Sequence, residues 1–186
     1  MAVFLIPGLW GRKKFYEPCV KKFAGAGLEV EIVDLGRNYK NLKTTAEILI
    51  RSLKRIQERD DIIAHSYGGI ILKYVLKNYP EVNDMMRSLT FVAVPHGGTW
   101  PALLIAMLPA ARELLPFRKH LHEFQKLELP EATVNFIAQS EIKIWPRKNA
   151  LLKDHIDIAI PGTNHDNIIF DDNFIEKAAA YIKAAP

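Results

Sequence analysis

The stretch Asp61-Ile62-Ile63-Ala64-His65-Ser66-Tyr67-Gly68-Gly69 decides the reading of this chain. An apolar run of strand character ends in a serine set between small residues, and Ile70, Ile71, Tyr74 and Val75 follow at helical spacing until Pro80. A sharp strand-to-helix turn forces its central residue into a strained backbone conformation. The serine hydroxyl then projects above the sheet, with the following N–H groups opening toward the same point. Ala64 and Gly68 are small because strand and helix nearly touch there, and Gly68 and Gly69 let the helix pack closely on the sheet. The usual pattern is G-x-S-x-G; here alanine takes the first position. An idle serine in an ordinary strand-loop-helix crossover is the competing account, and the rest of the chain weighs against it.

Outward from this turn, short aliphatic runs alternate with helical patterns. Strands are predicted at Ala2 to Ile6, Leu28 to Val33, Asp61 to His65, Leu89 to Val94, Val134 to Ala138 and Ile156 to Ile160. A first helix is expected from Phe15 to Ala24, with Pro18 tolerable only in its opening turn. Thr44 is the expected cap of a second, with Glu47 completing a capping box. Its apolar stripe is Ala46, Leu49, Ile50, Leu53 and Ile56, opposite Lys43, Arg51, Lys54, Arg55 and Glu58. A last helix runs from about Asn173 to Ala184. This alternation implies one α/β domain over residues 1–186: a minimal six-stranded, mostly parallel sheet with helices on both faces. Pro101 to Pro130 is longer than a crossover requires and is expected to hold two helices, as a helical insertion that forms either a packed crossover or a lid over an acyl pocket.

In an open parallel sheet, reactive groups gather beyond the carboxyl ends of the strands. Ser66, Gly8-Leu9, Pro95 to Thr99 and Pro161 to His165 all lie at such ends, so His165 is the natural general base for Ser66. Four carboxylates are candidates to hold its ring: Glu141, Asp154, Asp157 and Asp166. Glu141 is preferred because it lies just past a strand's carboxyl end, whereas Asp154 should sit roughly 15 Å away at the opposite edge. Asp157 is inside a strand, and Asp166 is too near His165 in sequence. The oxyanion donors are expected to be the N–H groups of Tyr67 and Leu9.

At these residues the chain resembles the α/β-hydrolase superfamily, most closely its compact bacterial lipases and esterases. Ala64-His65-Ser66-Tyr67-Gly68 resembles the alanine variant of their elbow, Ile6-Pro7-Gly8-Leu9-Trp10-Gly11 their oxyanion loop, and Val94-Pro95-His96-Gly97-Gly98-Thr99 their Pro-His-x-Gly-Thr segment. The order Ser66, Glu141, His165 is the family's order. Pro7 stands where histidine is usual, and the acid is glutamate where compact lipases generally carry aspartate. The resemblance implies a serine carboxyl-ester hydrolase working through an acyl-enzyme on a small-molecule acyl ester. Trp10, Tyr67, Trp100 and the Leu103 to Leu108 stretch, Leu104 included, are the expected acyl-site lining. Thioesterase or acyltransferase chemistry would use the same machinery, and a non-catalytic binding protein on this scaffold is the alternative from another class.

Composition fits this class. With 186 residues, 49% hydrophobic and 25% charged, the chain has an ordinary globular balance. A net charge of +4 is spread among interleaved acidic residues, which argues against nucleic acid and leaves room for weak contact with an anionic lipid surface. The single cysteine, Cys19, excludes an intrachain disulfide and is expected to be a buried structural thiol. The first residues lack a basic leader and a long apolar run, so a cytoplasmic location is expected. His65 is expected to pack beside the elbow and His96 to hold its own loop. His120 and His122, two apart, cannot share a helix face as metal ligands. Neither a metal nor a cofactor is expected.

Overall fold

The computed structural model describes residues 2–53 and 60–186. In chain order the elements are β1 (Val3–Ile6), α1 (Lys13–Gly25), β2 (Val30–Ile32), α2 (Leu42–Leu53), β3 (Asp60–His65), α3 (Tyr67–Asn78), α4 (Glu81–Met85) and β4 (Met86–Val92). There follow α5 (Pro109–Arg112), α6 (Lys119–Phe124), β5 (Thr133–Ala138), β6 (Ile156–Ile160) and α7 (Asp172–Ala184), with short 3-10 turns between some of them. The strands form one sheet in the order β2-β1-β3-β4-β5-β6, and every pairing is parallel.

The two-residue period of the strands divides the core between the faces. Phe4, Ile6, Ile62, Ala64 and Phe91 pack with α2 and α3, while Val3, Leu5, Ile63 and Val92 pack with α1 and α7. Because both faces are covered, the central strands are buried along their length. At the amino edge Arg87 makes a two-point pair with Asp61, at 3.1 and 2.7 Å, and also donates to the Ile182 carbonyl near the end of α7. Arg87 thereby ties α7 to the sheet, far from the strands' carboxyl ends.

Several boundaries differ from the sequence reading, each for a local reason. Helix α1 begins at Lys13, so Pro18 lies inside it, beyond the first turn; buried Tyr16, Cys19 and Phe23 hold the helix despite the missing hydrogen bond. Asn41, and not Thr44, caps α2: its side chain accepts the Thr44 N–H at 2.9 Å. Ile56, Lys54, Arg55 and Glu58 lie outside the described residues. Strand β4 starts at Met86, three residues earlier than expected, after the short α4. The segment 101–130 carries three short helical pieces where two helices were expected: a 3-10 stretch Trp100–Ile105, α5 and α6. Pro101, Pro109 and Pro116 explain the fragmentation, since proline removes a donor and is tolerated only near a helix start. Among the described residues no helix is long and apolar enough to cross a membrane.

Candidate active site

Ser66 occupies the turn between β3 and α3 with φ 51° and ψ −122°, the strained conformation that the elbow pattern demands. Its own N–H is tied to the Val92 carbonyl at 2.8 Å, and the side chain is almost buried. A Cβ on Gly68 would lie 2.6 Å from the Ile6 carbonyl oxygen, and one on Gly69 would strike Val94. Both positions therefore require glycine, as the close helix–sheet contact implied.

The structure brings Ser66, His165 and Glu141 together. Ser66 Oγ lies 2.9 Å from His165 Nε2, and His165 Nδ1 lies 2.9 Å from Glu141 Oε2. These residues come from the loops after β3, β6 and β5, all at the carboxyl edge. The two outer loops are joined where the Ser140 N–H donates to the Thr163 carbonyl at 2.8 Å. Glu141 Oε1 accepts the N–H groups of Lys143 at 2.8 Å and Ile144 at 3.1 Å. Burial opposes ionisation of this carboxyl, but the His165 ring and the two backbone donors outweigh it and hold it below the ordinary carboxylate value. The other carboxylates point elsewhere. Asp154 is exposed beside Lys153, Asp157 accepts from Asn135 and the Leu152 N–H, and Asp166 pairs with Lys143 at 2.6 Å.

The loop after β1 closes a tight turn in which the Gly11 N–H donates to the Gly8 carbonyl at 2.9 Å. Three side chains fix it, and the sequence reading named none of the contacts. Asn38 Nδ2 donates to the carbonyls of Gly8 (2.5 Å) and Pro7 (3.2 Å). The Tyr16 hydroxyl accepts the Gly8 N–H at 2.8 Å and bonds His65 Nδ1 at 2.7 Å. Burial pushes His65 down to about 3 and keeps Tyr16 above its ordinary value, so the phenol donates to a neutral imidazole. His65 thus anchors the loop after β1 beside the elbow. Asn38 lies in the loop beyond the carboxyl end of β2, so the edge rule, applied to that strand, would have found it.

A cavity of about 530 Å³ opens at Ser66 and His165. Leu9, Trp10, Leu104, Ile105, Pro101 and Leu114 supply its apolar walls. Trp100 does not line it, contrary to expectation; it is half-exposed and its ring lies 6.1 Å from that of Phe117. Tyr67 is likewise absent from the lining, because its side chain points into the core. Leu103 and Met107 are exposed and do not line it.

Behind the elbow the structure holds a polar chain that apolar periodicity hid. Lys73, on α3, is fully buried with Nζ 2.8 Å from His96 Nδ1; His96 Nε2 reaches Asn135 Oδ1 at 3.3 Å. Asn135 Nδ2 then donates to Asp157 at 2.6 Å and to the Ala150 carbonyl at 2.8 Å. His96 therefore holds the core rather than the base position. Burial lowers Lys73 to about 7. Between pH 7 and the unfolded value near 10.5 the unfolded chain carries the extra proton, so stability rises with pH through this window. Above pH 9 the Cys19 thiol, pushed up to about 12 by burial, works in the opposite sense. Urea unfolding at pH 7 and pH 9 is expected to give the native chain about 2 kcal/mol more gain in stability than Lys73→Met. An equal gain in both proteins would mean that Lys73 stays charged in the fold.

His120 Nε2 meets the Glu113 carbonyl at 2.9 Å, and Cys19 is buried in the core. Among the described residues no cluster of His, Cys, Asp and Glu has the arrangement of a metal site.

No protein-family model matches the chain, and no curated protein matches it. Solved structures do. Aspergillus fumigatus lipase B superposes with a TM-score of 0.83 at 13% identity over 99% of this chain and 52% of that one, so this chain spans about half the length of that lipase. A Bacillus licheniformis lipase in its mature form gives 0.76 at 15% identity, covering 95% of this chain and 89% of the other. An extracellular α/β-hydrolase from a Paenibacillus species gives 0.68 at 16%, covering 100% and 99%. The six-stranded parallel sheet, the serine at its strained turn and these superpositions agree: this chain has the α/β-hydrolase fold.

Proposed function

We propose that this protein is a serine carboxyl-ester hydrolase. The observation that carries the reading is the unbroken pair of hydrogen bonds from Ser66 through His165 to Glu141, both 2.9 Å, at the mouth of an apolar cavity. A triad decayed into a mere binding site would have no reason to keep that alignment. Ser66 Oγ attacks the ester carbonyl while His165 Nε2 takes its proton, and Glu141 holds the ring so that Nδ1–H faces the carboxylate. The N–H groups of Leu9 and Tyr67 receive the oxyanion. His165 then returns the proton to the departing alcohol, and water, activated the same way, releases the acid from the acyl-enzyme. Trp10 and Leu104 contact the acyl chain, with the 101–130 segment as its wall. A thioester would enter the same cycle, with only the leaving group changed. We propose the cytoplasm as its compartment, on the support of a single, buried cysteine.

The test is steady-state hydrolysis of p-nitrophenyl esters from acetate to palmitate. Saturable turnover that peaks at one chain length supports the reading, and no turnover of any member by folded protein contradicts it. A second expectation concerns the oxyanion loop. The Gly8 carbonyl and the Leu9 N–H share one peptide plane and point in opposite directions. Asn38, by holding that carbonyl, aims the donor at the site. Asn38→Ala is expected to lower kcat by about 10- to 100-fold with little change in KM, less than the 10²–10³ typical of deleting a donor outright. A change in KM alone would mean that Asn38 does not position the donor.

A further inference from the structure

Next to the catalytic cavity lies a second hollow of about 490 Å³, lined by Trp10, Arg12, Arg37, Tyr39 and Leu108. Trp10 belongs to both spaces. It sits at φ 58°, in the left-handed region where a bulky side chain is strained, although glycines stand close by in the same loop. A strained tryptophan on the partition between a reactive serine and a neighbouring hollow points to a role in the site.

The two arginines give the hollow its chemistry. Arg87, Arg112, Arg118 and Arg147 each hold a carboxylate or a carbonyl of this chain. Among the described residues Arg12, Arg37 and Arg51 hold none; of these only Arg12 and Arg37 share a hollow, and no carboxylate lines it with them. In the adjoining cleft, which shares Arg37 and Tyr39, Asp34 is engaged by the Gly36 N–H and Lys40 adds a further cation. The Tyr39 carbonyl accepts the Ala110 N–H at 3.2 Å, which fixes this wall to α5. Two unpaired guanidinium groups beside an indole and a phenol suit a phosphate on a short carbon skeleton, because the planar fork matches phosphate oxygens in pairs.

On the reading that Ser66 is an esterolytic nucleophile, we infer that the substrate is an acyl ester whose alcohol carries a phosphate group. The acyl chain lies along Leu104 and Ile105, and the alcohol passes Trp10 to place its phosphate between Arg12 and Arg37. Water cleaves only the carboxyl ester. The products are the fatty acid and the intact phosphate-bearing alcohol.

The experiment compares two esters that differ by one group, 1-octanoylglycerol 3-phosphate and 1-octanoylglycerol, each kept below its aggregation concentration. The native protein is expected to favour the phosphate ester in kcat/KM by about tenfold or more. In Arg12→Gln and Arg37→Gln the preference should shrink, and in Arg12→Glu/Arg37→Glu, checked for native circular dichroism, it should vanish or invert. Equal rates on the two esters in the native protein, or a preference that survives the double reversal, would overturn the inference. So would a preference seen only on vesicles of anionic phospholipid, since that reports surface charge and not a headgroup site. Native protein that turns over p-nitrophenyl esters but neither of these two would overturn it as well; if it cleaves none of them, the esterase reading itself fails. Calorimetry of 1-octanoylglycerol 3-phosphate with Ser66→Ala, with and without the arginine reversals, then still decides the hollow: binding lost with the arginines upholds it, and no binding refutes it.

Discussion

Ser66→Ala and His165→Ala are each expected to lower kcat on a p-nitrophenyl ester by about 10⁶, and the double variant by hardly more. The near-equality follows from the geometry. Ser66 Oγ and His165 Nε2 share one hydrogen bond of 2.9 Å, so the hydroxyl is a useful nucleophile only while the imidazole takes its proton. Removing either partner removes the same event, and the second removal has little left to take. What survives is binding in the cavity and whatever the oxyanion donors give to attack by water, about 10³–10⁴ over the uncatalysed reaction. Far-ultraviolet circular dichroism should be unchanged for Ser66→Ala, because its backbone N–H, and not its hydroxyl, links β3 to β4. Ser66→Ala retaining more than about one hundredth of native turnover would move the nucleophile elsewhere.

Glu141→Gln is the second large effect, about 10⁴ in kcat. The Lys143 and Ile144 N–H groups both donate to Oε1, so a glutamine must present its carbonyl to them and its NH₂ to His165. That NH₂ meets Nδ1 as donor against donor unless the imidazole changes tautomer. The changed ring carries its proton on Nε2, facing Ser66, and cannot accept another. The protein should fold normally, because the backbone bonds to Oε1 are kept. Asp154→Asn is the control: the side chain is exposed beside Lys153, and turnover should be native. If Asp154→Asn lost activity while Glu141→Gln kept it, the acid would be reassigned.

How much of this site could be read from the residues depended on how local each signal was. The elbow is a short-range pattern, since Ala64, Ser66 and Gly68 report a backbone constraint within one turn. His165 and Glu141 are distant in sequence, yet one topological rule, that parallel strands present their carboxyl ends together, was enough to bring both to Ser66. Asn38 was missed because its role is a contact between two loops rather than a pattern within one. Lys73 was missed for the opposite reason. Helical spacing assigns a lysine to the solvent side, but α3 is packed against the sheet on one side and against α2 and α6 on the other, and His96 supplies the partner its amine needs. Helix ends shifted where two residues of similar capping power competed, as Asn41 and Thr44 did. The 101–130 segment broke into three pieces because its prolines outweighed the apolar run that suggested longer helices.

A fluorophosphonate probe followed by intact-mass and peptide mapping interrogates the hydroxyl itself, without presuming a substrate. One adduct per chain, mapped to Ser66 and absent from Ser66→Ala, is the predicted outcome. Natively folded protein that stays unlabelled, or that carries the adduct on another residue, would contradict the assignment of an activated serine at this turn.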